Sequence, residues 1–86
     1  MKFRKKPVVI EAMQFIGSNW KDVLHWADIH ETPMEGNEAS ILIDTLEGEM
    51  TAGVGDWSIR GIGGEFYPCK PDIFTATYDA VEQFIL

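Results

Sequence analysis

GDWSIRGIGGEFYPCKPDIF, residues 55–74, holds a turn, two short strands, a hairpin and a helix start within twenty residues. Trp57 and Ile59 alternate with Ser58, Arg60 and Ile62, the period-two pattern of a strand with two unlike faces. Gly63-Gly64 follows, a dipeptide in which both residues tolerate positive φ and which suits a two-residue hairpin. Residues 65–69 return as the second strand, brought to an end by Pro68 and Pro71. Pro71-Asp72 then opens a helix to about residue 80. Proline's fixed φ suits a first helical turn, and an aspartate suits the positive end of the helix dipole.

Upstream, Gly53-Val54-Gly55-Asp56 reads as a turn, and residues 49–52 and 39–45 as strands joined through 46–48. Residues 30–38 carry Pro33, Gly36 and Asn37 and read as a loop. Between 19 and 29, Trp20, Val23, Leu24 and Ala27 recur at the i, i+3, i+4, i+7 spacing of an amphipathic helix. Trp26 lies at the margin of that stripe, placed to cover the core edge or to meet a partner. Gly17-Ser18-Asn19 breaks the chain before the helix and offers Ser18 as its N-cap. Residues 7–15, PVVIEAMQF, form an apolar, β-branched strand. The expected fold is α+β: a small, mostly antiparallel sheet of about five strands with two short helices, in the order β-α-β-β-β-β-α.

At 86 residues the chain has room for one domain (1–86), with a basic N-terminal arm at 1–6 and an apolar C-terminal tail at 81–86. A single cysteine, Cys69, excludes an intramolecular disulfide framework and fits a reducing compartment. No apolar run approaches the ~20 residues of a membrane span, and the start lacks the long apolar stretch of a signal peptide. The expectation is a cytoplasmic protein without membrane contact. Lys2, Arg4, Lys5 and Lys6 make the arm +4, whereas over residues 7–86 three basic residues face all fourteen acids, a net −11. A body of that sign repels phosphates, which argues against a nucleic-acid partner.

Most of the familiar chemical motifs resolve into structural readings. The glycine runs 53–55 and 61–64 sit between strands, without a helix N-terminus or a Lys-Ser/Thr to make a phosphate loop. His25 and His30 are five apart, which turns them about 140° from each other on a helix, so no metal site is expected. Cys69 neighbours Lys70 but has no histidine near it in sequence to serve as a base. The many carboxylates read mostly as a solvated face, since pairing two of them for acid–base work takes a defined separation in a cleft, which only the fold sets. No cofactor is expected. Trp57, Arg60, Phe66 and Tyr67 form the best candidate binding constellation, because they lie on the two strands of one hairpin. An arginine beside aromatics there would stack on a ligand or fork onto an anion, although packing of Trp57 and Phe66 into the core is the competing reading. Trp26, Phe84, Ile85 and Leu86 are the candidate interface residues, since the tail adds apolar surface that a domain of this size leaves uncovered.

KPVVIEAMQF near the start, GDWSIRGIGGEFYPCKPDIF and the following TATY together resemble a family of small, uncharacterised phage and prophage proteins. The pattern is roughly KPVxIEAxQ, then GDWxIxGxxGExYPxKPDIFxxTY, and it covers about 35 of the 86 residues. The resemblance implies expression from a mobile element in a bacterial cytoplasm and carries no catalytic role onto any residue. The function expected first is a non-enzymatic phage or prophage accessory protein that binds itself, as a homo-oligomer, or a host or phage protein. The alternative is a small-molecule or nucleotide-binding protein that sequesters its ligand through Arg60, Trp57 and Tyr67. A DNA mimic and a hydrolase using Cys69 or a carboxylate pair come after these.

Overall fold

The computed structural model describes residues 1–4 and 6–81. The elements are β1 (Glu11–Gln14), α1 (Trp20–Ile29), β2 (Glu35–Gly36), β3 (Ser40–Thr45), β4 (Gly48–Gly53), β5 (Trp57–Arg60), β6 (Phe66–Cys69) and α2 (Pro71–Thr77). The class is α+β, as the sequence indicates. The strands number six rather than about five, and they divide into two antiparallel three-stranded sheets, β1-β5-β6 and β2-β3-β4. The division falls at the 53–56 turn, which takes the chain out of the β3–β4 hairpin and starts the β5–β6 hairpin in the other sheet. The added strand, β2, pairs Glu35 with Leu42 and Gly36 with Ile41 inside the segment whose composition reads as loop. Glycine is required there: a Cβ on residue 36 would lie 2.6 Å from Ile41 Cδ1 and 2.7 Å from the Ser40 carbonyl oxygen.

One apolar cluster joins the two sheets. Phe15, Val23, Ala27, Met34, Ile41, Ile43, Ala52 and Phe66 are buried together, with Met13, Trp20, Leu24 and Trp26 packed around them. The helical stripe 20-23-24-27 therefore faces this core as its spacing predicts. Each of its fully buried Phe, Ile and Val side chains contributes roughly 1.5–3 kcal/mol by leaving water.

The ends of α1 are built differently from the sequence expectation. Asn19, not Ser18, is the N-cap residue, and its side chain caps no helical N–H. Instead Asn19 Oδ1 accepts from the Ile16 N–H at 2.9 Å and Nδ2 donates to the Gln14 carbonyl at 2.7 Å, fastening the end of β1. At the other end the Thr32 N–H reaches the Ala27 carbonyl at 3.0 Å and the Glu31 N–H reaches Asp28 at 2.9 Å, a Schellman closure. That closure needs a left-handed residue, and Glu31 occupies the position at φ 58°.

The expected strand over 7–15 is paired only at 11–14. Its partner β5 ends at Arg60, where Gly61 enters the hairpin turn closed by the Gly64 N–H to the Gly61 carbonyl (3.0 Å) and the Gly61 N–H to Glu65 (2.8 Å). Of the two hairpin glycines only Gly64 has positive φ, at 85°. Residues 7–10 thus lack a partner strand among the described residues, and Val9 stays 79% exposed. No helix among the described residues is long and apolar enough to cross a membrane.

Candidate functional site

The register of β5 and β6 decides which candidate residues meet. Trp57 pairs with Cys69, Ser58 with Pro68, Ile59 with Tyr67 and Arg60 with Phe66. Directly opposed residues share a face, so Trp57, Ile59, Tyr67 and Cys69 point one way and Ser58, Arg60, Phe66 and Pro68 the other. Arg60 is therefore not brought together with Trp57 and Tyr67. Phe66 is 1% exposed in the core, its ring edge-to-face with Trp26 at 5.0 Å. Arg60 sits opposite Phe66 on one side and Glu11 on the other, with a buried Nε that has no hydrogen-bond partner among the described residues.

On the opposite face, Trp57 stacks flat on Phe74 of α2, ring centroids 3.9 Å apart and planes 5° from parallel. Tyr78 follows at 5.1 Å from Phe74. Burial first, then its hydrogen bond with Tyr78 and the nearby charges, pushes the Tyr67 hydroxyl up from 10.0 to about 12. Ile59 is completely buried on this face, outside the main apolar cluster. Helix α2 itself has no buried residue, so the ring of Phe74 and that of Tyr78 just past the helix, rather than a helix face, cover the sheet.

A buried carboxylate fastens this arrangement. Asp56 is 5% exposed, and its Oδ2 accepts from the Gly53 N–H and from the Lys70 ammonium, both at 2.9 Å. Its carbonyl accepts from the Phe15 N–H at 2.9 Å, and Gln14 Nε2 donates to the Gly55 carbonyl at 3.0 Å. The turn, the end of β1 and the start of α2 are thus tied through one residue. The conspicuous Gly-Asp-Trp and Lys-Pro segments of the sequence meet here, fourteen residues apart, in a structural role.

Because Lys70 is engaged by Asp56, it does not activate Cys69. Burial, with Asp56 and then Asp72 adding to it, pushes the Cys69 thiol up, and Sγ lies 3.6 Å from the Lys70 carbonyl oxygen. His25 is exposed, while His30 packs against Trp26 and Phe66 with Nε2 3.7 Å from Glu11 Oε2. No group of three metal-ligating side chains assembles among the described residues.

The concave feature that gathers aromatics runs beside β1. It is a groove of about 490 Å³ lined by residues 8–13 together with Trp26, Trp57, Phe74, Tyr78 and residues 79–81. The hydrogen-bond phase explains why this edge is open. The Gly61–Glu65 bond makes Ile59–Tyr67 and Trp57–Cys69 the bonded pairs of β5–β6, so Ser58 and Arg60 turn their backbone groups toward β1. Met13 and Glu11 answer them, in phase with the Phe15–Asp56 bond, and the N–H and C=O groups of Ala12 and Gln14 face outward. Asn19 takes the Gln14 carbonyl, and Ala12 has no backbone partner among the described residues. Of the interface residues expected from sequence, half-buried Trp26 lines this groove, whereas Phe84, Ile85 and Leu86 lie outside the described residues. Phe74 and Tyr78 were missed in that expectation; the aromatic i, i+4 spacing after Pro71 is the signal that marks them as one face.

The site defines an α+β protein with an apolar groove along an open strand edge. Comparison with protein-family profiles, curated proteins and solved structures returns no match to the chain.

Proposed function

We propose that the chain is a non-enzymatic binding protein, a phage or prophage accessory acting in the bacterial cytoplasm, which engages another polypeptide along the outer edge of β1. The observation that carries this reading is the groove itself. An outward-facing strand edge is flanked by Trp26 on one side and by Trp57, Phe74 and Tyr78 on the other. Backbone groups give affinity to an added strand and flanking apolar pockets give it specificity. The resemblance of residues 6–15 and 55–78 to small phage and prophage proteins supplies the setting.

The test places a photo-crosslinking p-benzoylphenylalanine at Val9, which is 79% exposed beside the groove. Irradiation of expressing cells is expected to give adducts to a polypeptide, reduced when Trp57→Ala reshapes the groove wall. Absence of any polypeptide adduct from position 9 overturns the reading.

A further inference from the structure

We infer that the strand added at the β1 edge is the β1 of a second copy, paired antiparallel about a two-fold axis at Ala12. The inference rests on the binding reading above and names its partner. Its first support is self-complementarity. With Ala12 opposite Ala12 of the second copy, two outward-facing residues meet in the bonded phase, and the continued alternation sets Ile10 against Gln14. The Gln14 carbonyl keeps a second lone pair free for this ladder beside its bond from Asn19. Glu11 then faces Met13, and Val9 faces Phe15, so no like charges oppose each other.

The second support is that exposed Val8 and Val9, strand-forming residues with no ladder partner among the described residues, gain one.

The third support is charge. The arm leads directly into β1, and Lys2, Arg4 and Lys6 are exposed on it. In this register residue 8 of one copy meets residue 16 of the other, so the arm leaves the ladder where the other chain turns at residues 17–19 into α1. Exposed Asp22 lies in the first turn of that helix, and the carbonyl oxygen of exposed Glu38 is 3.2 Å from the Cβ position of Gly17. Neither acid has an ion-pair partner among the described residues, and Lys21, the cation on that side, lies 5.4 Å over the Trp20 ring. A +4 arm on a body of net −11 favours exchange between copies.

Sedimentation velocity over a concentration series tests the pairing, with circular dichroism confirming that each variant folds. The wild-type chain is expected to dimerise. Ala12→Pro removes an outward N–H without touching the β1–β5 ladder and is expected to weaken the dimer by on the order of 10- to 30-fold, the loss of two ladder bonds. Ala12→Lys, which retains the N–H but places a charge at the edge, serves if the proline variant fails to fold and should weaken it as well. Deleting residues 2–6 should raise the dissociation constant and flatten its salt dependence. A chain that is monomeric at every concentration, or a dimer that both Ala12 variants leave equally tight, overturns the pairing. A monomer that dimerises only after truncation at Val81 also overturns it, because the chain's own tail then holds the edge. Adducts from position 9 to a different protein alongside a monomeric chain refute the second copy and spare the binding reading. No adduct at all removes both.

Discussion

Replacing Asp56 with alanine tests the account of what holds β1, the 53–56 turn and α2 together. The carboxylate is 5% exposed and accepts two hydrogen bonds at 2.9 Å, one from the part-buried Gly53 N–H and one from Lys70. Alanine leaves the amide without an acceptor, at a cost of about 1–3 kcal/mol. The Lys70 share is smaller. That side chain is 67% exposed, so its pairing energy is discounted toward the 0–1 kcal/mol of a surface ion pair. The sum for Asp56→Ala is about 2–3 kcal/mol, which for a chain of this size lowers the melting temperature by roughly 10–20 °C. Asp56→Asn, which keeps an acceptor for the amide, and Lys70→Met should each cost less, about 1 kcal/mol for the lysine. The assay is urea unfolding followed by circular dichroism, repeated at high salt. Salt should shrink the Lys70→Met effect and leave the Asp56→Ala effect nearly intact. An Asp56→Ala variant within 0.5 kcal/mol of wild type refutes the reasoning, as does a Lys70→Met variant that loses more than Asp56→Ala.

Three further outcomes are expected. Asn19→Ala should destabilise by about 1–2 kcal/mol because the Ile16 N–H and the Gln14 carbonyl lose their partner, while Ser18→Ala stays within about 0.5 kcal/mol; chemical denaturation distinguishes them. Glu31→Gly should raise stability by about 0.5–1 kcal/mol, since glycine takes φ 58° without the steric penalty a side chain meets there, and calorimetry reads the shift. Tyr67 should ionise near 12 in the folded chain and near 10 once unfolded, seen as a late phenolate absorbance step that urea moves to lower pH. A raised folded value means its contribution to stability is complete below pH 10 and is lost as the pH climbs through about 12.

The sequence displayed those parts of the fold that arise within one element. The 20-23-24-27 stripe faces the core, and the alternation of Trp57 and Ile59 against Ser58 and Arg60 survives as the two faces of β5. What it hid depends on partners distant along the chain. Residues 7–10 carry strong strand propensity, yet β5 is too short to pair with them, and that length is set by where Gly61 turns. β2 was invisible because two residues of ladder leave no periodicity, only a glycine squeezed against Ile41. Ser18 read as the cap, whereas Asn19 takes that position and its side chain serves the strand before the helix. For the candidate site, hairpin parity already separated Trp57 from Arg60. The stack of Trp57 on Phe74 and the Asp56–Lys70 pair needed the path of α2, which no local pattern specifies.

Pro68 lies on β6, the other outer strand of the β1-β5-β6 sheet, opposite Ser58 in a non-bonded position, so its missing N–H costs the β5 ladder nothing and is felt only at the free side. The β3–β4 hairpin of the other sheet already approaches β6, and the proline leaves no donor there for a further strand. Growth of this sheet is consequently one-sided: once the β1 edge is taken, the sheet ends in a proline at both extremes. If a second copy takes the β1 edge as proposed, assembly would terminate at a closed pair instead of propagating as a fibre, and a concentrated solution of the protein should stay clear.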